Sequence, residues 1–293
     1  MNRPTDKALT QATSPATGKD HRSRRERAER VVWRAAKPLL QRVAGRVQQQ
    51  HLFVAGMQRS GTNMLMEVLE WSRQTDVYHE TDPRTFDNYQ MRPRSQVWAV
   101  AGRSPAPVFV IKCLCELDQV RTFMDEFAPS RVVWLIRAFD DTVNSAIRSF
   151  GNFRHQALRL AKDKTAAEWR GRGMSDETQA HLRRLVHPDM NEASAAALMW
   201  YYRNVLFFEQ GLDADARAQA LSYERLVASP GPTVDALLSA HGLPPGGPWL
   251  TRYVHVRSVG KSPRADIEPG VRVLCDGLLA RFRTLGGLAA PGP

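Results

Sequence analysis

The segment His51-Leu-Phe-Val-Ala-Gly-Met-Gln-Arg-Ser-Gly-Thr-Asn-Met-Leu65 joins a short apolar run to a glycine-bounded loop and the start of an amphipathic pattern. Leu52 to Ala55 suit a strand that is buried on both faces, and the apolar residues after the loop recur at helical spacing. The segment therefore predicts a buried strand, a loop from Gly56 to Thr62 and a helix over 64–72.

The predicted loop has the features of an anion site. A loop that enters a helix after a parallel strand directs unpaired backbone N–H groups to one point, where the helix dipole adds partial positive charge. Gly56 and Gly61 let the backbone approach a ligand closely, Arg59 brings a full charge, and the Ser60 and Thr62 hydroxyls are further donors. We therefore expect a phosphate-sized anion here.

The loop departs from the magnesium-dependent pattern G-x-x-x-x-G-K-[ST], because Thr62 and Asn63 replace the Lys and the metal-binding hydroxyl residue. The run Arg59-Ser-Gly-Thr-Asn63 instead resembles the [KR]-S-G-T-[TN] loop of sulfotransferases. That resemblance implies that Arg59, Ser60, Gly61, Thr62 and Asn63 hold the 5′-phosphosulfate of PAPS (3′-phosphoadenosine 5′-phosphosulfate). An ordinary glycine-rich turn is the alternative for this run taken alone.

A second strand and helix follow in Arg131-Val-Val-Trp-Leu-Ile-Arg-Ala-Phe-Asp-Asp-Thr-Val-Asn-Ser-Ala-Ile-Arg-Ser-Phe150. The apolar run predicts a central strand that ends at Arg137, and a helix then begins at Asp140 or Asp141. Arg137 and Ser145 can converge on one anionic group. The segment resembles the sulfotransferase 3′-phosphate motif R-x-P-x-D-x-x-x-S-x-x-x-x-F, although Phe139 replaces the Pro.

Two further charged residues are expected at the carboxyl edge of the sheet, where open α/β sheets bind ligands. Glu80 follows a strand predicted at about Asp76 to His79. Lys112 ends the buried-strand pattern Val108-Phe-Val-Ile-Lys112.

The interval from Arg59 to Glu80-Thr81 resembles that of protein-tyrosine sulfotransferases, in which a Glu is the proposed base. Cytosolic sulfotransferases carry a His base in a Lys-Thr-His strand end, which is Lys112-Cys113-Leu114 here. The resemblance implies Glu80 as the base, with Lys112 and Arg59 offsetting charge on the sulfuryl group. The alternative for Glu80 is a cap or a pair with Arg84.

Two C-terminal segments resemble sulfotransferases less closely. Tyr223-Glu-Arg-Leu-Val-Ala-Ser-Pro230 is similar to a segment whose Tyr lies near the nucleotide, and a structural Tyr is the alternative. Arg257-Ser-Val-Gly-Lys261 loosely matches a loop that folds over the 3′-phosphate. The resemblance therefore adds Tyr223 and Lys261 to the expected donor-binding residues.

The positive charge is concentrated near the N-terminus. The formal net charge is +11, of which residues 1–50 carry +8, with 12 Lys/Arg against 4 Asp/Glu, and residues 51–293 carry +3. The basic region has neither interleaved aromatic residues nor a recognised motif, so it does not indicate a specific nucleic-acid partner.

Residues 1–30 have almost no large apolar side chains, which predicts a disordered arm. From Val31 to Val47 apolar and basic residues alternate, and Pro38 should end or kink a helix. Such a segment lies on anionic lipid or packs on the domain through its apolar stripe, and the second is favoured here. We predict a basic, largely disordered arm over 1–48 with a short amphipathic segment, and a sulfotransferase domain over 49–288.

The three cysteines show no CxxC pair or zinc spacing, and we expect reduced thiols. No apolar run approaches the roughly 20 residues that span a bilayer. The charged N-terminus lacks the hydrophobic core of a signal peptide, so a cytoplasmic protein is expected.

Together these features predict a three-layer α/β sandwich with a central parallel sheet, that is, a P-loop-type nucleotide-binding fold. The resemblance implies a metal-free, PAPS-dependent sulfotransferase acting on a hydroxyl or amine of a small-molecule, carbohydrate or lipid acceptor. The acceptor site should be lined by 81–107 and 151–190. Two alternatives stay open: a P-loop kinase that uses ATP and Mg²⁺, and an inactive nucleotide-fold adaptor that binds nucleic acid or a membrane surface.

Overall fold

A computed structural model describes residues 23–43, 48–254, 260 and 263–285. Its strands are β1 (Gln50–Ala55), β2 (Thr75–Tyr78), β3 (Phe86–Asp87), β4 (Gln90–Met91), β5 (Val108–Cys113), β6 (Ser130–Ile136) and β7 (Ala218–Ser222). Its α-helices are α1 (Arg24–Val43), α2 (Thr62–Glu70), α3 (Arg94–Ala101), α4 (Val120–Glu126), α5 (Phe139–Ser149), α6 (Phe153–Lys162), α7 (Asp176–Leu185), α8 (Glu192–Asn204), α9 (Leu206–Glu209), α10 (Tyr223–Ala228), α11 (Pro230–Ala240), α12 (Pro248–Thr251) and α13 (Pro269–Arg283).

Five strands form a parallel sheet in the order β2-β5-β1-β6-β7, and β3 and β4 form a separate antiparallel pair. The central strand β1 pairs with β5 from Gln50 opposite Val108 to Ala55 opposite Cys113, and with β6 on its other side. The strand order reverses at β1, because later strands lie on both sides of it. The loop after β1 therefore lies at the edge where open α/β sheets bind ligands.

Helices cover both faces of this sheet, and each face has its own apolar core. Alternate side chains of β1 enter different cores: Phe53 and Ala55 face α4, α5, α8 and α13, whereas Leu52 and Val54 face α2, α10 and α11. Burial of one such Leu, Val or Phe side chain is worth roughly 1.5–3 kcal/mol. The predicted three-layer α/β fold with a central parallel sheet is confirmed.

Two further regions bear on the site. Residues 84–107 contain the β3–β4 hairpin and α3. Helix α8 ends at Asn204, whose side-chain amide donates to the Trp200 carbonyl oxygen at 2.8 Å. The Asn204 amide oxygen also accepts the Trp134 indole N–H at 3.1 Å, so this side chain links the helix end to β6.

Helix α1 packs on the domain through polar side chains. Arg30, Lys37 and Gln41 are buried against α2 and the residues that follow it, whereas Val32 and Leu39 are exposed. Of the apolar residues predicted to pack on the domain, Trp33 does so, against Trp71 and Trp249, whereas Val31, Leu39, Leu40 and Val43 are exposed. The helix also runs through Pro38, where we expected it to end or kink, and it includes residues 24–30 of the predicted disordered arm. None of the described helices is long and apolar enough to cross a bilayer.

The rest of the predicted arm, residues 1–22 and 44–47, lies outside the described residues. The domain boundary at residue 48 stays a prediction. The cysteines Cys113, Cys115 and Cys275 are buried free thiols. Burial raises the pKa of Cys115 to about 12 and that of Cys275 above its ordinary value.

Candidate active site

The loop between β1 and α2 needs both of its glycines. Gly56 has φ 145°, and a Cβ atom there would lie 2.6 Å from the Leu135 carbonyl oxygen on β6. Gly61 has φ 96°, and its Cβ would lie 2.1 Å from the Tyr223 ring. Arg59 also adopts a positive φ of 72°. The backbone is thus pressed between β6 and Tyr223, in a conformation that L side chains rarely adopt.

The start of α2 fits an anion. The helix begins at Thr62 directly after Gly61, which has no side chain to cap it, and its first turn contains no acidic residue. The Ser60 hydroxyl is completely buried and has no hydrogen-bond partner among the described residues. Buried polar groups are rarely left without a partner, and helix N-termini attract negative charge. Both observations fit a phosphate-sized anion held at this point.

Arg59, Arg137 and Ser145 form one hydrogen-bonded group. Arg59 Nε donates to Ser145 Oγ at 2.9 Å, and Arg137 Nη1 donates to the Arg59 carbonyl oxygen at 3.3 Å. Arg137 also lies 3.6 Å from the Asp141 carboxylate and stacks over the Tyr223 ring, with Cζ 4.6 Å from the ring centroid. The loop, the β6 end and α5 therefore meet at one point.

Two hydrogen bonds to backbone groups hold the chain at Arg137 and Ala138 in place. The Trp200 indole N–H on α8 donates to the Arg137 carbonyl oxygen at 3.0 Å. The next residue, Ala138, donates its N–H to Glu224 Oε1 at 3.0 Å. These contacts fix the turn from β6 into α5, so the guanidinium group is preorganised without a ligand.

This group carries excess positive charge. Burial lowers the pKa of Arg59 from its ordinary value, and the nearby cations Arg137 and Arg148 lower it further. Asp141 is the carboxylate paired with Arg137. Arg59, Arg137 and Arg148 thus lie near one another, and clustered guanidinium groups attract a multiply charged anion such as a phosphate monoester.

Lys112, Glu80 and Asn63 form a second group at the other end of the loop. Lys112 Nζ lies 2.6 Å from Glu80 Oε1 and also donates to Asn63 Oδ1. The Lys112 side chain is only 1% exposed. Burial lowers its pKa, although the Glu80 carboxylate opposes that shift. Glu80 follows β2 and Lys112 lies on the neighbouring β5, as the sheet order requires.

The described residues predicted to form the site all lie around this loop. Arg137 and Ser145 contact Arg59, Tyr223 packs on Gly61, and Lys112 joins Asn63 to Glu80. One contact crosses between the two expected halves of the donor site. The Arg59 guanidinium, expected at the phosphosulfate, bonds Ser145 of the expected 3′-phosphate group.

The C-terminal loop expected over the 3′-phosphate is described in part. Lys261 lies outside the described residues. Its described neighbour Gly260 donates its backbone N–H to Asp141 Oδ2 at 3.1 Å. Since Asp141 pairs with Arg137, this contact brings the loop to the edge of the Arg59–Arg137–Ser145 group.

Several residues near the site are not among those that the sequence motifs indicate. Arg148 lies one helical turn after Ser145, and this i,i+3 spacing is the signal that could have identified it. Trp200 and Glu224 act through backbone groups of residues distant in sequence, so no local pattern indicates them. The described residues contain no group of three or more His, Cys, Asp and Glu side chains that could hold a metal ion.

A cavity of about 390 Å³ lies beside the segment that follows β5. It is lined by Gln90, Met91, Arg92, Pro93, Arg94, Glu116, Gln119, Phe123 and Arg172, and so draws on both ranges expected to form the acceptor site. Glu116 is 4% exposed; its Oε1 accepts the Met91 N–H at 2.9 Å, and its Oε2 has no partner among the described residues. Burial raises the pKa of Glu116.

Comparisons with known proteins give the following likenesses. No protein-family model matches the sequence, and no curated protein matches it. The chain is similar to the sulfotransferase domain from the curacin biosynthetic pathway, with 16% identity, coverage of 85% of this chain and 94% of that chain, and a TM-score of 0.47. A sulfotransferase from Alicyclobacillus acidocaldarius gives 14% identity, 82% and 96% coverage and a TM-score of 0.48. A sulfotransferase from Mycobacterium avium has 13% identity, with coverage of 89% of this chain and 83% of that chain and a TM-score of 0.45. Each is a likeness of overall structure to a sulfotransferase, at low sequence identity.

Proposed function

We propose that this protein is a sulfotransferase that moves a sulfuryl group from PAPS to a hydroxyl or amine of an acceptor. The observation that carries the proposal is that two groups, each with a cationic side chain, lie at the two ends of one loop; in the second group the Glu80 carboxylate balances the charge of Lys112. Arg59, Arg137 and Ser145 lie at one end, and Lys112 with Glu80 at the other. A donor with phosphate at two positions of one adenosine needs two such groups on one sheet edge.

The donor would be held by residues of both groups. Arg59, Arg137 and Ser145 bind the 3′-phosphate, and Tyr223 packs between this group and Gly61. Ser60, Thr62 and the first N–H groups of α2 bind the 5′-phosphate. Asn63 holds Lys112 towards the loop. We expect Lys261 to contribute to 3′-phosphate binding.

PAPS, when bound, supplies a sulfuryl group joined through a bridging oxygen to the adenylate. The acceptor oxygen or nitrogen forms a bond to sulfur, the bond from sulfur to the bridging oxygen breaks, and the acceptor proton passes to Glu80. Lys112 neutralises Glu80 in the resting site. During transfer Lys112 offsets negative charge on the bridging oxygen and the sulfuryl group, which grows towards the transition state.

We expect no metal requirement. A sulfuryl group carries less negative charge than the phosphoryl group that kinases transfer, so fixed cations and backbone donors suffice. Thr62 and Asn63 stand where kinase loops have their Lys and metal-binding hydroxyl residue.

The acceptor would enter through the cavity that Glu116 lines. Arg92 and Arg172 contribute cationic N–H groups, Glu116 contributes the unpartnered Oε2, and Phe123 contributes an apolar wall. This mixture suits a polar acceptor with several hydroxyls, such as a carbohydrate or a lipid headgroup. Glu116 follows β5 by three residues, next to the strand that precedes Glu80, so the cavity opens on the same sheet edge.

Donor specificity tests the proposal directly. Adenosine 3′,5′-bisphosphate should raise the melting temperature of the protein, whereas ATP with Mg²⁺ should raise it little, because the Arg59–Arg137–Ser145 group has no function with ATP. Stabilisation by ATP–Mg²⁺ alone would favour a kinase. If neither nucleotide stabilises the protein, an inactive adaptor is the better interpretation.

The acceptor class can be found with sulfur-labelled PAPS. The protein is incubated with the labelled donor and a cell extract, and the labelled product is separated into lipid, carbohydrate and small-molecule fractions. Glu80→Gln serves as the negative control, because it keeps the donor site. Label transfer by the wild type alone identifies the acceptor, and equal transfer by both proteins contradicts the mechanism.

A further inference from the structure

Helix α1 has an inverted distribution of side chains. Apart from Trp33, its inward contacts are made by charged and amide side chains: Arg30 lies 2.7 Å from the Glu70 carboxylate, and Gln41 donates to the Thr75 carbonyl oxygen at 2.9 Å. Its outward face exposes aliphatic side chains that would normally be buried. The exposed fractions are 70% for Val31, 68% for Val32, 62% for Leu39 and 87% for Val43.

The inversion has a physical cause in α2. The last carbonyl groups of a helix lack intrahelical partners and carry partial negative charge. The Trp33 indole and the Lys37 ammonium of α1 donate to the Glu70 carbonyl oxygen at 2.9 and 2.7 Å. Burial lowers the pKa of Lys37 to about 8, although nearby carboxylates oppose the shift. Since the polar residues must face α2, the apolar side of α1 remains outside.

The outward face is continuous. At about 100° per residue, Val32, Leu39 and Val43 lie within roughly 40° of one another around the helix axis, and Ala28 and Ala35 complete the stripe. The exposed side chains Arg24 and Arg42 lie along one edge of it, about five turns apart. Both carboxylates of α1 lie elsewhere: Glu26 bonds the buried Arg30, and Glu29 accepts the Tyr253 hydroxyl at 2.7 Å.

We propose that this outward face of α1 binds the surface of an anionic membrane. Branched aliphatic side chains flanked by Arg, with no carboxylate between them, match an interface of acyl chains and anionic headgroups. The helix contains seven Lys/Arg and two Glu; Arg30 and Lys37 are buried, and the five other cations are exposed and complement such lipids. The contact is peripheral, and it does not depend on the proposed sulfotransferase activity.

Vesicle sedimentation of the full chain tests this proposal. The protein should bind vesicles of phosphatidylcholine with phosphatidylserine and should bind phosphatidylcholine alone at least several-fold more weakly. Replacing Val32, Leu39 and Val43 together by Gln should reduce binding to the anionic vesicles by about tenfold or more, because the apolar contact is lost. Replacing Arg24 or Arg42 by Gln should reduce it roughly fivefold each.

The matched control is Val273→Gln. Val273 on α13 is 72% exposed, as Val32 is, but it lies outside α1. This variant should bind vesicles like the wild type. All variants replace exposed side chains, and unchanged melting curves and circular dichroism verify that they fold.

Three outcomes would overturn the proposal. These are no binding of the wild type to anionic vesicles, equal binding to neutral and anionic vesicles, and unchanged binding of the triple Gln variant. A second copy of the chain is the alternative partner for this face, and sedimentation velocity tests it. If the wild type does not bind vesicles but forms a dimer that the triple variant abolishes, the face binds a second copy of the chain.

Discussion

At the scale of single residues, Lys112 joins the two halves of the proposed reaction centre. Its buried ammonium contacts Glu80 on one side and Asn63 of the donor loop on the other. A buried cation is costly without a carboxylate partner. A negatively charged donor at the loop therefore meets a cation that is already positioned and dehydrated, which strengthens its attraction.

Glu80→Gln should lower turnover about 10²–10⁴-fold, the contribution of a positioned general base. Affinity for adenosine 3′,5′-bisphosphate should not fall, because the change removes negative charge beside Lys112. Steady-state kinetics and calorimetry measure the two effects. An unchanged rate would remove Glu80 as the base.

Glu116→Gln should behave differently, because we place Glu116 in acceptor binding. The expected effect is a higher KM for the acceptor, with turnover within a few-fold of the wild type. If Glu116→Gln abolishes turnover and Glu80→Gln does not, the roles of the two carboxylates are exchanged. The exposed Glu177 on α7 provides a control for the Glu-to-Gln change.

Arg137→Ala should weaken binding of adenosine 3′,5′-bisphosphate by about 1.5–3 kcal/mol, the range for a hydrogen bond to a charged group. Titration calorimetry measures the affinity. Arg283→Ala, at the exposed end of α13, is the control and should bind normally. Normal affinity in Arg137→Ala would contradict the assignment of the 3′-phosphate group.

At the scale of helices and strands, α8 supports both sides of the site. Trp200 bonds the Arg137 carbonyl, and one turn later the fully buried Arg203 donates to the carbonyl oxygens of Leu114, Cys115 and Trp169. Leu114 and Cys115 connect β5 to Glu116. The helix therefore fixes the ends of β6 and β5 relative to each other.

Arg203→Met should reduce the free energy of unfolding by about 2–5 kcal/mol, because the substitution keeps the apolar bulk but leaves buried carbonyl groups without donors. Urea unfolding measures the loss. Arg183→Met is matched, since Arg183 also donates to a carbonyl oxygen, that of Ala161, but at the surface. It should cost less than about 0.5 kcal/mol, and equal losses would show that the three buried contacts contribute little.

Some helices, strands and loops of this protein can be predicted from local sequence, and some of their contacts cannot. The parallel strands and the glycine loop follow from apolar runs and from backbone conformations that only Gly adopts readily, so local patterns are enough to predict them. The orientation of α1 is different, because it depends on Glu70, which is 40 residues from Arg30. The hydrogen bond from Arg59 to Ser145 is likewise invisible in sequence, since the positive φ of Arg59 redirects its side chain.

At the scale of the whole molecule, buried histidines make the free energy of unfolding depend on pH. Burial lowers the pKa of His241 from 6.5 to about 4, with a further contribution from Arg131. Burial also lowers the pKa of His51, although backbone groups of Pro129 and Phe127 oppose the shift. Both rings are therefore neutral in the folded protein at neutral pH.

Stability should fall as the pH decreases from 6.5 to about 4, because the unfolded chain then binds protons that the folded His241 does not. The slope should reach roughly 1.4 kcal/mol per pH unit for each such His. Urea unfolding across this range measures it. His241→Gln should flatten the curve, whereas the exposed His155→Gln should not. A curve that His241→Gln leaves unchanged would contradict the assignment.

Helix α2 has a geometric consequence for the reaction centre. It carries the donor loop at its first residue and receives α1 at its last, and nine residues rise only about 13 Å. With the width of α1 added, the loop stays within roughly 25 Å of any surface on which α1 rests. The length of one short helix would thus set the height of the proposed active site above a bilayer: if both proposals hold, a lipid whose headgroup extends a short way from its bilayer comes within reach of sulfuryl transfer, and substrates far from the boundary do not.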